Sequence, residues 1–239
     1  MRYTLFILSA LLIFAMPNQS QAQGAKDPRV EIRPFVGFRL GGNVSSSGYD
    51  PVSPGEALIE DLNVKPGSQF GVMLNLPLAL LGAYDPDNNW QLEATFALQP
   101  STLRIDARSD IDIPALNPNF KQDGDQIELF DMDVTYIHLG AMHQWTDGSW
   151  IPYLNFGLGA TIFKPDGDLD SKNKFSMSFG GGIKKFFSDR FGIRSQLRGF
   201  WTFLGSNEEL YCDPFGCWTY SDPVNFTQFE ISTGLIIRL

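Results

Sequence analysis

The chain has two histidines, His138 and His143, and hydrolysis of a lipid or peptide through a serine, a histidine and an acid would have to use one of them. Neither sits in a serine-containing motif, and Tyr136-Ile-His-Leu-Gly140 reads as a piece of strand. A second set of candidates is scattered along the chain: Glu31, Glu93, Asp131, Asp133 and Glu230, with Arg33, Arg39, Lys184, Arg194, Arg198 and Arg238. Each occupies the polar side of an alternating segment. Gathered in one interior, they would form a conduction path, a catalytic cluster or a salt-bridge network that fills space. Ionised groups removed from water must be paired, so a mixed-sign interior is what a closed barrel requires in any case. We read the set as structural filling, with no catalytic residue, no cofactor and no metal ligand among it.

Two further stretches carry recognisable chemistry. Asp166-Gly-Asp-Leu-Asp170 begins like a calcium-binding loop, but Ser171 stands where the turn glycine belongs and Met177 where the bidentate glutamate belongs. It reads as a solvated acidic loop. Cys212 and Cys217 flank Asp-Pro-Phe-Gly, which is turn chemistry, and in an exported chain a bridge between them is the natural expectation. Closing so short a loop stabilises by about 2 kcal/mol in the chain-entropy view, enough to shape a loop tip.

The elements that would position these residues are strands of period two. In Phe229–Leu239, the residues Phe229, Ile231, Leu235, Ile237 and Leu239 point one way, and Glu230, Ser232 and Arg238 point the other. The same contrast of an apolar face against a charged or glycine-rich face recurs in Val30–Gly42, Gln69–Leu80, Trp90–Leu103, Trp150–Phe163, Lys174–Phe187 and Arg190–Leu204. Gln126–Gln144 is less regular. Phe130, Met132, Val134 and Tyr136 oppose Asp131, Asp133 and Thr135, but beyond Ile137 both faces are mixed, and a bulge there is one way to exchange them. Long polar loops are expected over Asn43–Gly67, Arg104–Asp125 and Gly205–Pro223, with shorter connections between them. The count is about eight strands, and an even count brings both termini to one side.

Composition agrees with a barrel wall. Aromatic residues make up 13% of the 239 residues, yet no stretch after the N-terminus is long and apolar enough for a spanning helix. A membrane location would therefore require a closed barrel, because an open sheet leaves backbone groups unpaired in hydrocarbon. The net charge of −9 argues against a nucleic-acid partner. Residues 1–22 read as a secretory signal, with Arg2, an apolar run from Leu5 to Met16 and small residues up to Ala22. Residues 23–239 form the barrel domain.

Arg33-Pro-Phe-Val-Gly-Phe-Arg-Leu-Gly-Gly42, Tyr136-Ile-His-Leu-Gly140, Pro152-Tyr-Leu-Asn-Phe-Gly-Leu-Gly159, Gly180-Gly-Gly182, Gly192-Ile-Arg-Ser-Gln-Leu-Arg-Gly199 and the terminal strand together resemble the small outer-membrane β-barrel proteins of Gram-negative bacteria, the group that holds the OmpA membrane domain and OmpW. One departure is the terminal Leu239, where such chains usually carry an aromatic residue. The resemblance implies an all-β, antiparallel, up-and-down transmembrane barrel of about eight strands in the bacterial outer membrane. Its partners would be outer-membrane lipids and lipopolysaccharide, with the barrel-assembly machinery during insertion, and the protein would be a monomer. The expected role is non-catalytic, in membrane integrity or surface interaction. The alternatives are a narrow channel or a binding pocket for small, apolar molecules, a lipid-modifying barrel enzyme, and a secreted carrier of lipocalin type. The carrier would place Phe70, Leu74, Phe96, Leu158 and Leu197 inside, and Arg194 and Arg198 in water.

Overall fold

The computed structural model describes residues 28–44, 59–107, 121–123, 126–166, 171–205, 209–213, 216–219 and 224–239. The signal segment expected over residues 1–22 lies outside these residues. Eight long strands form the wall: β1 (Glu31–Val44), β3 (Gly67–Pro77), β4 (Trp90–Ala107), β6 (Gln126–Gln144), β7 (Ile151–Pro165), β8 (Lys172–Phe186), β9 (Phe191–Gly205) and β12 (Val224–Arg238). Each pairs antiparallel with the next. The ring closes where β1 meets β12, with Glu31 opposite Arg238 and Arg39 opposite Glu230. Closure removes both sheet edges, so the wall leaves no open ladder to face lipid.

Shorter strands lie in stretches expected to be loops. β2 (Ile59–Val64) runs between the upper ends of β1 and β4, in the lane that β3 occupies below it. β5 (Lys121–Asp123) pairs with the start of β6. β10 (Glu209–Asp213) and β11 (Gly216–Thr219) form a separate hairpin whose backbone sets Cys212 opposite Cys217. The cysteine side chains, and with them the expected bridge, lie outside the described residues. Gly41 and Gly42 have φ of 79° and 113°, where other residues are strained, and the β1–β12 register shifts there.

The bulge expected near Ile137 is not present. β6 keeps one register with β7 from Met132 to Gln144, and the shift on its other side falls at Leu103/Arg104 of β4. Met132, Val134, Tyr136, His138, Met142 and Gln144 therefore all face the lumen. At one end the turns are short: the chain reverses between Gln144 and Ile151 and between Phe186 and Phe191, and a 3-10 turn (Leu78–Leu81) begins the link from β3 to β4. Asp85 caps that link by accepting the backbone N–H groups of Asn89 and Trp90. Both chain ends of the barrel lie at this end, the arrangement of short periplasmic turns and longer external connections.

The outer wall is apolar where the surface of a soluble protein would be polar. Phe70, Leu74, Phe96, Leu158 and Leu197 point outward, with Leu197 65% exposed. Across neighbouring strands Leu139 sits beside Leu158, and Leu158 beside Met177, in a continuous belt. At the short-turn end, His143 packs between Trp90 and Trp145, at 4.6 and 4.8 Å between ring centroids. Lys185 lies 4.6 Å from the Trp150 ring nearby. Amphipathic rings gathered at one level are the girdle expected at a membrane interface.

Candidate functional site

The lumen is built in layers because alternate residues of eight tilted strands point inward at similar heights. Nearest the short turns, Glu31 accepts from Lys184 Nζ at 2.7 Å and from Arg238 Nη2 at 3.2 Å. Lys184 also donates to Gln144 Oε1, and the Arg238 guanidinium lies 3.5 Å from the centre of the Phe186 ring. In the next layer Glu93 takes Arg194 Nη2 at 2.8 Å and Arg198 Nη1 at 3.3 Å, with amide donors from Asn75 and Asn155. Tyr153 lies under Arg194, 4.1 Å from ring centre to guanidinium carbon. A Cβ at Gly157 would fall 2.9 Å from Arg198 Nη2, so the bare backbone there gives the guanidinium its space against β7.

Above this, Glu230 accepts from Arg39 at 3.0 Å, from Gln196 and from Ser232. Arg39 lies 3.9 Å from the Tyr136 ring centre and 4.2 Å from that of Phe200. Those rings begin an apolar plug that continues through Val134, Leu204, Phe226, Met132, Leu103 and Val64. At the external mouth, Glu128 accepts from Arg104 at 2.7 Å and from Lys65 at 2.9 Å. Hydrogen bonds from Lys65 and Arg104 hold its carboxyl below the ordinary glutamate range.

The structure therefore brings Glu31, Arg33, Arg39, Glu93, Lys184, Arg194, Arg198, Glu230 and Arg238 together in the lumen, each at most 3% exposed. Asp131 and Asp133 are not among them. Both side chains lie on the outer wall, and Asp131 accepts from the Thr102 hydroxyl at 2.8 Å. The reason is their height on the strand. The apolar belt of β6 is carried by Ile137 and Leu139, and above it the outer surface is polar while the plug makes the inner surface apolar. The rule that the charged face is the inner one holds only within the hydrocarbon layer, so it assigns these two aspartates the wrong way.

Among the described residues neither histidine meets an accessible serine. His138 is buried, with Nδ1 2.8 Å from Ser178 Oγ and Nε2 2.8 Å from Ser176 Oγ. With both ring nitrogens engaged by hydroxyls in a filled lumen, the contacts are those of packing. His143 faces outward in the girdle. Of the calcium-loop candidate, Asp166 is exposed at the end of β7, and Asp168 and Asp170 lie outside the described residues. The rings of Tyr136, Tyr153 and Phe200, and the amides of Asn75 and Asn155, complete the network without having been singled out from sequence. Tyr153, Phe200, Asn75 and Asn155 share the inward-facing alternation of their strands, whereas alternation places Tyr136 on the apolar face opposite Asp131 and Asp133, and the structure turns it inward.

No family model matches the chain, and no curated protein matches it by sequence. Among solved structures, neisserial surface protein A is similar at a TM-score of 0.50 and 10% identity, covering 88% of this chain and 97% of that one. The outer membrane protein OprG from Pseudomonas aeruginosa is similar at a TM-score of 0.51 and 13% identity, covering 91% and 98%. At these identities the likeness is one of fold. That fold, the apolar outer belt and the charged interior define the class: an eight-stranded outer-membrane β-barrel. Arg194 and Arg198 inside and Leu197 outside are the reverse of what a soluble carrier would have.

Proposed function

We propose that the protein is a non-catalytic outer-membrane barrel that contributes to envelope integrity or surface interaction, and that its lumen does not conduct. The observation that carries this reading is the bridge from Glu93 to Arg194 and Arg198, which spans the lumen and leaves all three side chains about 1% exposed. An eight-stranded barrel has an interior that side chains can fill, and an ion crossing it would have to displace paired charges held out of water.

In this reading the monomer is inserted by the barrel-assembly machinery after loss of residues 1–22, its belt contacts lipid and lipopolysaccharide, and its external loops meet other surfaces. A Cys212–Cys217 bridge braces the β10–β11 hairpin, whose backbone register supports it. The deciding experiment is conductance of the purified protein in a planar bilayer. A flat trace at all voltages is expected, and discrete, reproducible current steps would overturn the reading in favour of a narrow channel.

A further inference from the structure

The lumen carries an imbalance of charge. Below the external mouth, where Arg104 is paired with Glu128, it buries among the described residues six cations, Arg33, Arg39, Lys184, Arg194, Arg198 and Arg238, and three carboxylates, Glu31, Glu93 and Glu230. Five of the cations reach a carboxylate: Lys184 and Arg238 share Glu31, Arg194 and Arg198 share Glu93, and Arg39 holds Glu230. Arg33 reaches none. Arg33 is 1% exposed, its guanidinium donates from Nη2 to the Met73 sulfur, and the Phe35 ring lies 4.8 Å away. Nε and Nη1 have no acceptor in the protein.

Arginine does not deprotonate in proteins, so burial cannot be relieved by loss of the proton. A thioether is a weak acceptor and an aromatic face offsets only part of a full charge. The surroundings add to the deficit. Arg194, whose own Nε lacks an acceptor, donates from Nη1 to Asn75, two residues along β3 from Met73. Unpartnered donors in the lumen outnumber unpartnered acceptors. A water molecule would satisfy hydrogen bonds there but would leave the charge uncompensated in a low-dielectric interior.

We propose that Arg33 holds a small inorganic monovalent anion of halide type inside the barrel, bound by its Nε and Nη1 between β1 and β3 and enclosed when the barrel closes. The anion is a structural counter-ion for an excess of guanidinium, distinct from any permeating ion.

Because the site is enclosed, the anion is supplied during refolding. Wild-type protein is refolded into detergent micelles in sodium chloride or in sodium gluconate, whose anion is too bulky for the site, at matched ionic strength, and its thermal unfolding is followed by loss of β circular dichroism. The midpoint rises by about 3–6 °C for each tenfold increase in chloride above half-saturation and stays flat in gluconate. Arg33→Met, refolded in the same way, loses the chloride dependence. Equal slopes in the two salts, or a chloride slope that persists in R33M, overturn the proposal. A measurement on wild type alone runs alongside: crystals of protein refolded in bromide show an anomalous peak within hydrogen-bond distance of Arg33 Nε and Nη1, and no peak there overturns it.

Discussion

Arg194 on β9 meets Glu93 on β4 with 2.8 Å between Nη2 and Oε2, although the two strands lie on different sides of the barrel with β6, β7 and β8 between them. The pair is therefore a strut through the lumen, and Arg198 leans on the same carboxylate from four residues further along β9. Each group is out of water, so the pair is stabilising relative to either ion left alone, and much less so relative to an apolar filling of the same shape.

Glu93→Gln leaves Arg194 and Arg198 without their carboxylate and is expected to destabilise the folded barrel by about 3–5 kcal/mol. Arg194→Met alone falls in a similar range. The double variant costs less than the sum, because it removes both charges of the main contact. Urea titration of refolded protein in micelles reads all three, and simple additivity would show that the strut is not a coupled unit.

Tyr136 supports Arg39 through its ring face and donates its hydroxyl to Gln228 Oε1 at 2.7 Å. Tyr136→Phe removes only the hydrogen bond and leaves a buried amide oxygen, costing about 1–3 kcal/mol. Tyr136→Leu also removes the ring beneath a desolvated guanidinium and opens space, for a total of about 2–4 kcal/mol. The order of the two in an equilibrium unfolding series is the measurement.

Leu197 faces outward between two inward arginines, Arg194 and Arg198 being on the opposite side of the same strand. Leu197→Arg puts a charge in the hydrocarbon layer and costs about 2–4 kcal/mol in a lipid bilayer at mid-depth. On a wall facing water the same change would fall within about 0.5 kcal/mol of zero. Unfolding in bilayers, compared with that of a matched substitution at the exposed Asp131, separates the two.

Glu128 lies above the belt, where the mouth is open to water, and Lys65 and Arg104 lower its pKa. A carboxyl whose folded pKa is depressed contributes stability that is fully present above its unfolded value and is lost as the pH falls through the folded one. The window thus lies below the ordinary glutamate value of 4.5. Acid titration of the unfolding midpoint is expected to show this loss in wild type and a shallower profile in Glu128→Gln.

Much of this molecule was legible one strand at a time. Alternation along Arg190–Leu204 puts Arg194, Gln196 and Arg198 on one face and Ile193, Leu197 and Phe203 on the other, and only a lipid-facing wall around a polar lumen makes sense of that polarity. Period two is a property of the chain itself, so strand number, the inward residues of most strands and the membrane setting follow from residue order. Pairing is different. Which carboxylate meets which guanidinium depends on strand tilt and stagger around a closed ring, which no local stretch records, so the sharing of Glu31 and Glu93 and the isolation of Arg33 come from tertiary structure alone. Height above the belt is also a tertiary quantity: Asp131 and Asp133 sit outside because the solvent beyond the wall changes from lipid to water along a single strand, and the alternation does not change with it.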